Sequence, residues 1–214
     1  MVRKIRERSC CLNNLKKIVY LISPPKIYKN FYFDLEKVLA KKNTKYFQLR
    51  LKKTKRKNII KIAKKVRLIT SKHKVKFIIN DDVQIAKKIN ADGCHLGQSD
   101  GSISKARKIL KNKIIGVTCH NSERLALLAI KEKADYIAFG SFFISKLKPK
   151  AKKGSLKVLK WAKKNIKKPI VAIGGINDTN YKKLILFGAK YIAISSFIWD
   201  NPFLKPEYAI KKIK

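Results

Sequence analysis

The stretch FIINDDVQIAKKINADGCHLGQSD, residues 77–100, puts Asn80 and Asp81 at the end of one apolar run and Asp100 just past the next. The chain has 13 acidic residues against 53 basic ones, so carboxylates at two successive run ends call for a reason. If the two runs are neighbouring strands joined by a helix, Asp81 and Asp100 can be aimed at one point. Two carboxylates among phosphate-binding cations suit Mg²⁺, which takes a couple of carboxylates and fills its remaining positions with water and phosphate oxygen. The plain alternative gives Asp81 or Asp82 to a helix cap and Asp100 to the turn SDGS. The recurrence of the pattern at both run ends favours the metal.

Other residues gather at similar places. In QLRLK (48–52), Gln48, Arg50 and Lys52 alternate with Leu49 and Leu51, so the polar three share one strand face. Thr118 and His120 end the run GVTCH, whereas His95 lies inside its run and reads as a hydrogen-bonded core residue. In AIGGI (172–176), Gly174 and Gly175 offer backbone amides that an anion can approach closely, because no side chain intervenes. Ser195 and Ser196, at the end of the last run, would complete a phosphate site, and Lys148 adds a cation in FFISKLKPK (142–150).

The elements that must carry these residues are strands and helices in alternation. Strand-like runs occupy residues 17–23, 45–50, 75–80, 92–97, 114–119, 135–140, 169–174 and 190–195. Helix-like segments fill 55–71, 82–90, 102–110, 122–133, 156–165 and 177–187; in the first, Ile59, Ile62, Val66 and Ile69 recur at helical spacing. Strands that are apolar without alternation suit a parallel sheet buried on both faces. Eight such units in 214 residues predict one α/β domain, a (β/α)₈ TIM barrel, with an open doubly wound sheet as the alternative. In a barrel the site forms at the strand carboxyl ends, where the polar residues above fall. Residues 1–15 read as a mobile basic arm, 16–214 as the barrel, and 149–155 as a flexible loop.

Composition limits what else the chain can be. Apolar residues make up 45% of it, enough for a sizeable core, and no run is long enough to cross a bilayer. The basic amino terminus lacks a signal-peptide pattern, so a soluble cytoplasmic protein is expected. Cys10, Cys11, Cys94 and Cys119 form no C-x-x-C pair, which argues for reduced thiols and against structural zinc. A formal charge of +40 favours polyanions. The lysines, however, are spread over every helical segment with no stripe of interleaved aromatics, as a compositional bias would leave them. Nucleic-acid binding beyond non-specific attraction is not expected, while the positive field would draw in phosphorylated small molecules.

Together these motifs resemble the thiamine phosphate synthase family. QLRLK, FIINDD (77–82), ADGCHLGQSD (91–100), GVTCH (116–120), ADYIAFGSFF (134–143), VAIGGI (171–176) and GAKYIAISS (188–196) cover residues 17–198 in the family's order and spacing. The resemblance implies a Mg²⁺-assisted transferase acting on two phosphorylated small molecules. It would join hydroxymethylpyrimidine diphosphate to a thiazole phosphate or its carboxylated form and release diphosphate. It further implies that Gln48, Leu49, Arg50, Leu51, Lys52, Asn80, Thr118 and Lys148 bind the pyrimidine diphosphate. Asp81 and Asp100 would bind Mg²⁺. Ser145, Lys146, Leu147, Gly175, Ser195 and Ser196 would bind the thiazole phosphate, and Arg50, Lys52 and Lys148 would carry catalysis.

Three departures from the family pattern stand out. Leu51 replaces the Glu of R-E-K, Thr118 replaces a Ser but keeps the hydroxyl, and the loop at 145–148 reads S-K-L-K instead of T-x-T-K. Leu147 removes a hydroxyl from the thiazole phosphate subsite. The alternatives are a thiazole tautomerase on the same fold, with His120 at its site, and a non-catalytic basic nucleic-acid-binding protein. An assembly of several copies is compatible with the sequence.

Overall fold

A computed structural model describes residues 17–144 and 154–214. Eight parallel strands close into a barrel in chain order: β1 (Val19–Ile22), β2 (Thr44–Leu49), β3 (Lys76–Asn80), β4 (Gly93–Leu96), β5 (Ile114–Thr118), β6 (Tyr136–Gly140), β7 (Ile170–Ile173) and β8 (Tyr191–Ile194). The ring is sealed where Val19, Tyr20 and Leu21 of β1 pair with Ile192, Ala193 and Ile194 of β8. That pairing rules out the open sheet. Every strand lies within one of the runs expected from the sequence, except that β2 begins one residue earlier.

Helices α1 (Phe31–Leu39), α2 (Arg56–Lys72), α3 (Val83–Lys88), α4 (Ile103–Leu110), α5 (Glu123–Lys131), α6 (Leu156–Asn165) and α7 (Tyr181–Leu186) follow β1 to β7 in turn. Short helices α8 (Ser196–Trp199) and α9 (Pro206–Ala209) follow β8. The sequence reading did not single out α1, although it buries Phe31, Leu35, Val38 and Leu39 along one helical face. It also started α7 too early. Residues 177–180 form a side-chain turn instead, in which Asn177 Oδ1 accepts from the amides of Thr179 and Asn180.

Alternation along the strands divides the core in two. Val19, Leu21, Phe47, Phe77, Ile79 and Ile137 face outward into the large apolar layer beneath the helices. Tyr20, Tyr46, Ile78, Tyr136, Val171 and Tyr191 fill the barrel interior. Four tyrosines make this interior unusually polar. Room for one of them comes from Gly116 of β5, where a Cβ would fall 1.8 Å from Tyr136 Cζ. Among the described residues no helix is long and apolar enough to cross a membrane. The arm expected over residues 1–15 lies outside the described residues.

Candidate active site

The carboxyl ends of β2, β3, β4 and β5 bring the first group of polar residues to one rim. Leu49 and Leu51 are buried in the outer core, Arg50 between them is half-buried, and Lys52 is exposed. The alternation read in QLRLK therefore holds, and it shows what Leu51 does: its side chain packs in the apolar layer. The backbone amide of Arg50 donates to Ser23 Oγ at 2.9 Å, tying the end of β2 to the end of β1.

Asp81 and Asp100 do converge. Their carboxyls lie close enough to shift one another's proton affinity, and Lys52 Nζ lies 3.6 Å from Asp81 Oδ2. Asp81 follows β3 with φ of 65°, a left-handed conformation that Asp tolerates better than most residues. Such backbone strain recurs at functional sites. Burial, followed by the neighbouring Asp100, pushes the Asp81 carboxyl up to about 6, against the pull of Lys52 and Arg50. For Asp100 burial acts upward too, but the neighbouring Asp81 and the bond from the Gly97 amide outweigh it and hold that carboxyl below its usual range. Gly97 N donates to Asp100 Oδ2 at 2.7 Å, and a Cβ at Gly97 would fall 2.7 Å from that same oxygen. Asp82, not Asp81, caps α3, accepting from Ile85 N at 2.8 Å.

Asn80 ends β3 half-buried, Gln48 is buried near the end of β2, and Thr118 is half-buried at the end of β5. His95 lies inside the barrel, as its place within a strand implied. Its Nε2 is 2.7 Å from Thr118 Oγ1 and its Nδ1 is 2.8 Å from Tyr136 Oη. Burial, chiefly, drives the imidazole down to about 4, so it is neutral near pH 7. The sequence reading recognised His95 but missed Tyr136 and Tyr20, because a tyrosine in a strand ordinarily signals only packing. His120 is exposed just beyond β5.

The second group lies after β7 and β8. Gly174 and Gly175 have φ of 105° and 61°. The space a side chain would need there is filled from the opposite side. A Cβ at Gly174 would meet Ser141 Oγ at 1.9 Å, and one at Gly175 would meet the Ile144 carbonyl oxygen at 2.4 Å. The glycine pair thus lets the segment after β6 lie against the end of β7, a reason for Gly that an anion-binding argument does not supply. Ser195 and Ser196 fall one and two residues past β8, where Ser195 N-caps α8 and Ser196 opens it. Ser195 Oγ donates to the Ser23 carbonyl at 3.0 Å. Ser145, Lys146, Leu147 and Lys148 lie outside the described residues.

A (β/α)₈ barrel with a carboxylate pair, flanking cations and backbone turns at its strand carboxyl ends is the frame of an enzyme for charged small molecules. The family model for thiamine monophosphate synthase (TMP-TENI) matches residues 19–198, and the chain belongs to that family. It is 59% identical over 200 residues to a thiamine-phosphate synthase of Pelagibacter ubique, covering 93% of this chain and 97% of that one. A thiamine-phosphate synthase of Erythrobacter litoralis is 40% identical over 188 residues, 86% of this chain and 88% of its own. The fold superposes with a TM-score of 0.81 on thiamine phosphate pyrophosphorylase from Pyrococcus furiosus, at 29% identity over 94% of this chain and 95% of that one.

Proposed function

We propose that this chain joins hydroxymethylpyrimidine diphosphate to a thiazole phosphate, forming thiamine phosphate and releasing diphosphate. Family membership over residues 19–198 carries the reading, and the geometry at the rim agrees with it. In the reaction the bond between the pyrimidine methylene carbon and the diphosphate oxygen breaks, its electron pair leaving with diphosphate. The thiazole nitrogen then donates its lone pair to the methylene carbon. No protein nucleophile is needed, so the chain's task is to hold both partners and stabilise the departing charge.

In this reading Gln48, Asn80 and Thr118 orient the pyrimidine diphosphate. Arg50, Lys52 and Lys148 supply positive charge where the leaving group becomes more negative. Gly175, Ser195, Ser196 and the segment from Ser145 to Leu147 receive the thiazole phosphate. Asp81 and Asp100 would hold Mg²⁺. The fit rests on their chemistry: burial and the neighbouring Asp100 raise the cost of ionising Asp81, and a divalent cation between the two carboxyls would relieve it. Among the described residues no cluster of three or more His, Cys, Asp or Glu occurs, so an ion held by this pair would have to fill the rest of its shell with water and phosphate oxygen. Bound there, the ion would neutralise diphosphate charge. The free buried thiols of Cys94 and Cys119 accord with a reducing, cytoplasmic setting.

Because a Cβ at position 97 would strike Asp100, Gly97→Ala is expected to displace one carboxylate without opening the core. Turnover should fall about ten- to a hundredfold, the usual penalty for disturbing the support of a metal ligand, and be partly restored by excess Mg²⁺. A Mg²⁺ titration of diphosphate release checks this.

Position 147 gives a second test. Leu147→Thr would restore the hydroxyl that the family pattern has there. It is expected to lower the Michaelis constant for the thiazole phosphate about tenfold, the effect of a hydrogen bond to a charged group, and to leave that for the pyrimidine diphosphate unchanged. Steady-state kinetics with each substrate varied in turn decides the matter. For the function as a whole, the gene should restore thiamine-free growth to a bacterial strain lacking its own thiamine phosphate synthase. Stable expression without rescue would contradict the proposal.

A further inference from the structure

The barrel interior contains a row of polar groups that the reaction above leaves unused. Tyr20 Oη lies 2.6 Å from Tyr136 Oη, Tyr136 Oη 2.8 Å from His95 Nδ1, and His95 Nε2 2.7 Å from Thr118 Oγ1. Tyr20 and Tyr136 are 2% and 1% exposed; only Thr118 approaches the rim. The arrangement is built for, since Gly116 vacates the volume that the Tyr136 ring occupies.

Counting hydrogens fixes the direction of the row. Each hydroxyl has one hydrogen to donate, and a neutral imidazole has one N–H. Three contacts therefore use three of four hydrogens, and one is left over: at either end, or on Tyr136 if that hydroxyl accepts from both neighbours, where it would be buried and unmet. If the row donates inward, from Thr118 to His95 to Tyr136 to Tyr20, the spare hydrogen is that of Tyr20. Tyr136 is the only hydrogen-bond partner of Tyr20 Oη among the described residues, so that hydrogen would be buried and unmet, which is costly. If the row donates outward, Tyr20 gives to Tyr136, Tyr136 to Nδ1, and Nε2–H to Thr118. The spare hydrogen is then that of Thr118, at the rim, where a ligand can take it.

We propose that Tyr136 and His95, closed off by Tyr20, form a positioning chain that commits the Thr118 hydroxyl to donate toward the bound pyrimidine diphosphate. The role of Thr118 in this rests on the function proposed above; the direction of the row does not. A hydroxyl that already accepts from Nε2–H presents its hydrogen outward. It thereby selects a ligand acceptor at that point, and the donor is in place before the ligand arrives.

The test has two arms. Nitrogen–proton correlation spectra of the full chain without ligand should show the His95 proton on Nε2. The signal is assigned by substituting His73 and His120, the only other histidines. A proton on Nδ1 would overturn the proposal, and this readout needs no turnover. Failure of the proposed function would instead appear as absence of diphosphate release with the Nε2–H form intact. In the second arm, Tyr136→Phe removes the donor to Nδ1 while keeping the ring. It should raise the Michaelis constant for the pyrimidine diphosphate about tenfold, the loss expected from one well-placed bond, and leave that for the thiazole phosphate unchanged. In a Thr118→Val background the same substitution should add nothing, because both changes act through one hydroxyl. Tyr20→Phe leaves Tyr136 as the closed end and should keep both the Nε2–H form and the constant within about twofold. An equal effect on both substrates, or additivity with Thr118→Val, would mean loosened packing and would sink the idea.

Discussion

Asp81→Asn and Asp100→Asn are each expected to lower turnover by more than about a hundredfold, beyond the ten- to hundredfold that supporting residues of a metal site typically cost. Each change keeps the shape of the side chain and removes the charge. For Asp81 it also removes the cost of holding a charge that is partly buried and next to Asp100, which together raise the carboxyl to about 6, so the fold should be unharmed or slightly steadier. That opposition between activity and stability is the signature of a residue kept for function and held under strain. Thermal unfolding and Mg²⁺-dependent diphosphate release, measured on the same samples, separate the two effects. Wild-type turnover at limiting Mg²⁺ in either variant would remove the metal from the account.

Arg50→Ala is expected to cost about a hundred- to a thousandfold in turnover, the range found when one group stabilising a developing negative charge is removed. Arg50 lies between two buried leucines on a strand tied to β1 through Ser23, so its backbone is held and its side chain has little choice of direction. Lys52→Ala should cost less, because Lys52 is exposed and shares its charge with Asp81 at 3.6 Å. Presteady-state measurement of diphosphate release with the thiazole phosphate saturating distinguishes them. Equal losses would mean that the two cations act as an undifferentiated field.

Much of this was legible in the residues. The strands announced themselves because a parallel barrel buries both faces of each, leaving unbroken apolar runs such as FII and IVAI. The convergence of Asp81 and Asp100 followed from one step of strand, helix and strand. What escaped was tertiary in origin. Gly174 and Gly175 were read for what could approach their amides, but contacts with Ser141 and Ile144, which no local pattern encodes, account for their lack of side chains. Helix α1 was missed although Phe31, Leu35 and Val38 recur at helical spacing, because it follows a Pro-Pro and Lys-rich loop where the apolar pattern restarts late. The Tyr20, Tyr136, His95 and Thr118 row joins four separate strands, and only closure of the barrel brings them together. Leu51 looked like a damaged site residue in the sequence; its burial shows a side chain turned into the core.

The most direct measurement is of product stoichiometry. The purified full chain, given hydroxymethylpyrimidine diphosphate, thiazole phosphate and Mg²⁺, should form thiamine phosphate and diphosphate in equal amounts, and neither product when either substrate is left out. Diphosphate release without thiamine phosphate, or conversion of a thiazole carboxylate alone to its tautomer, would contradict the account.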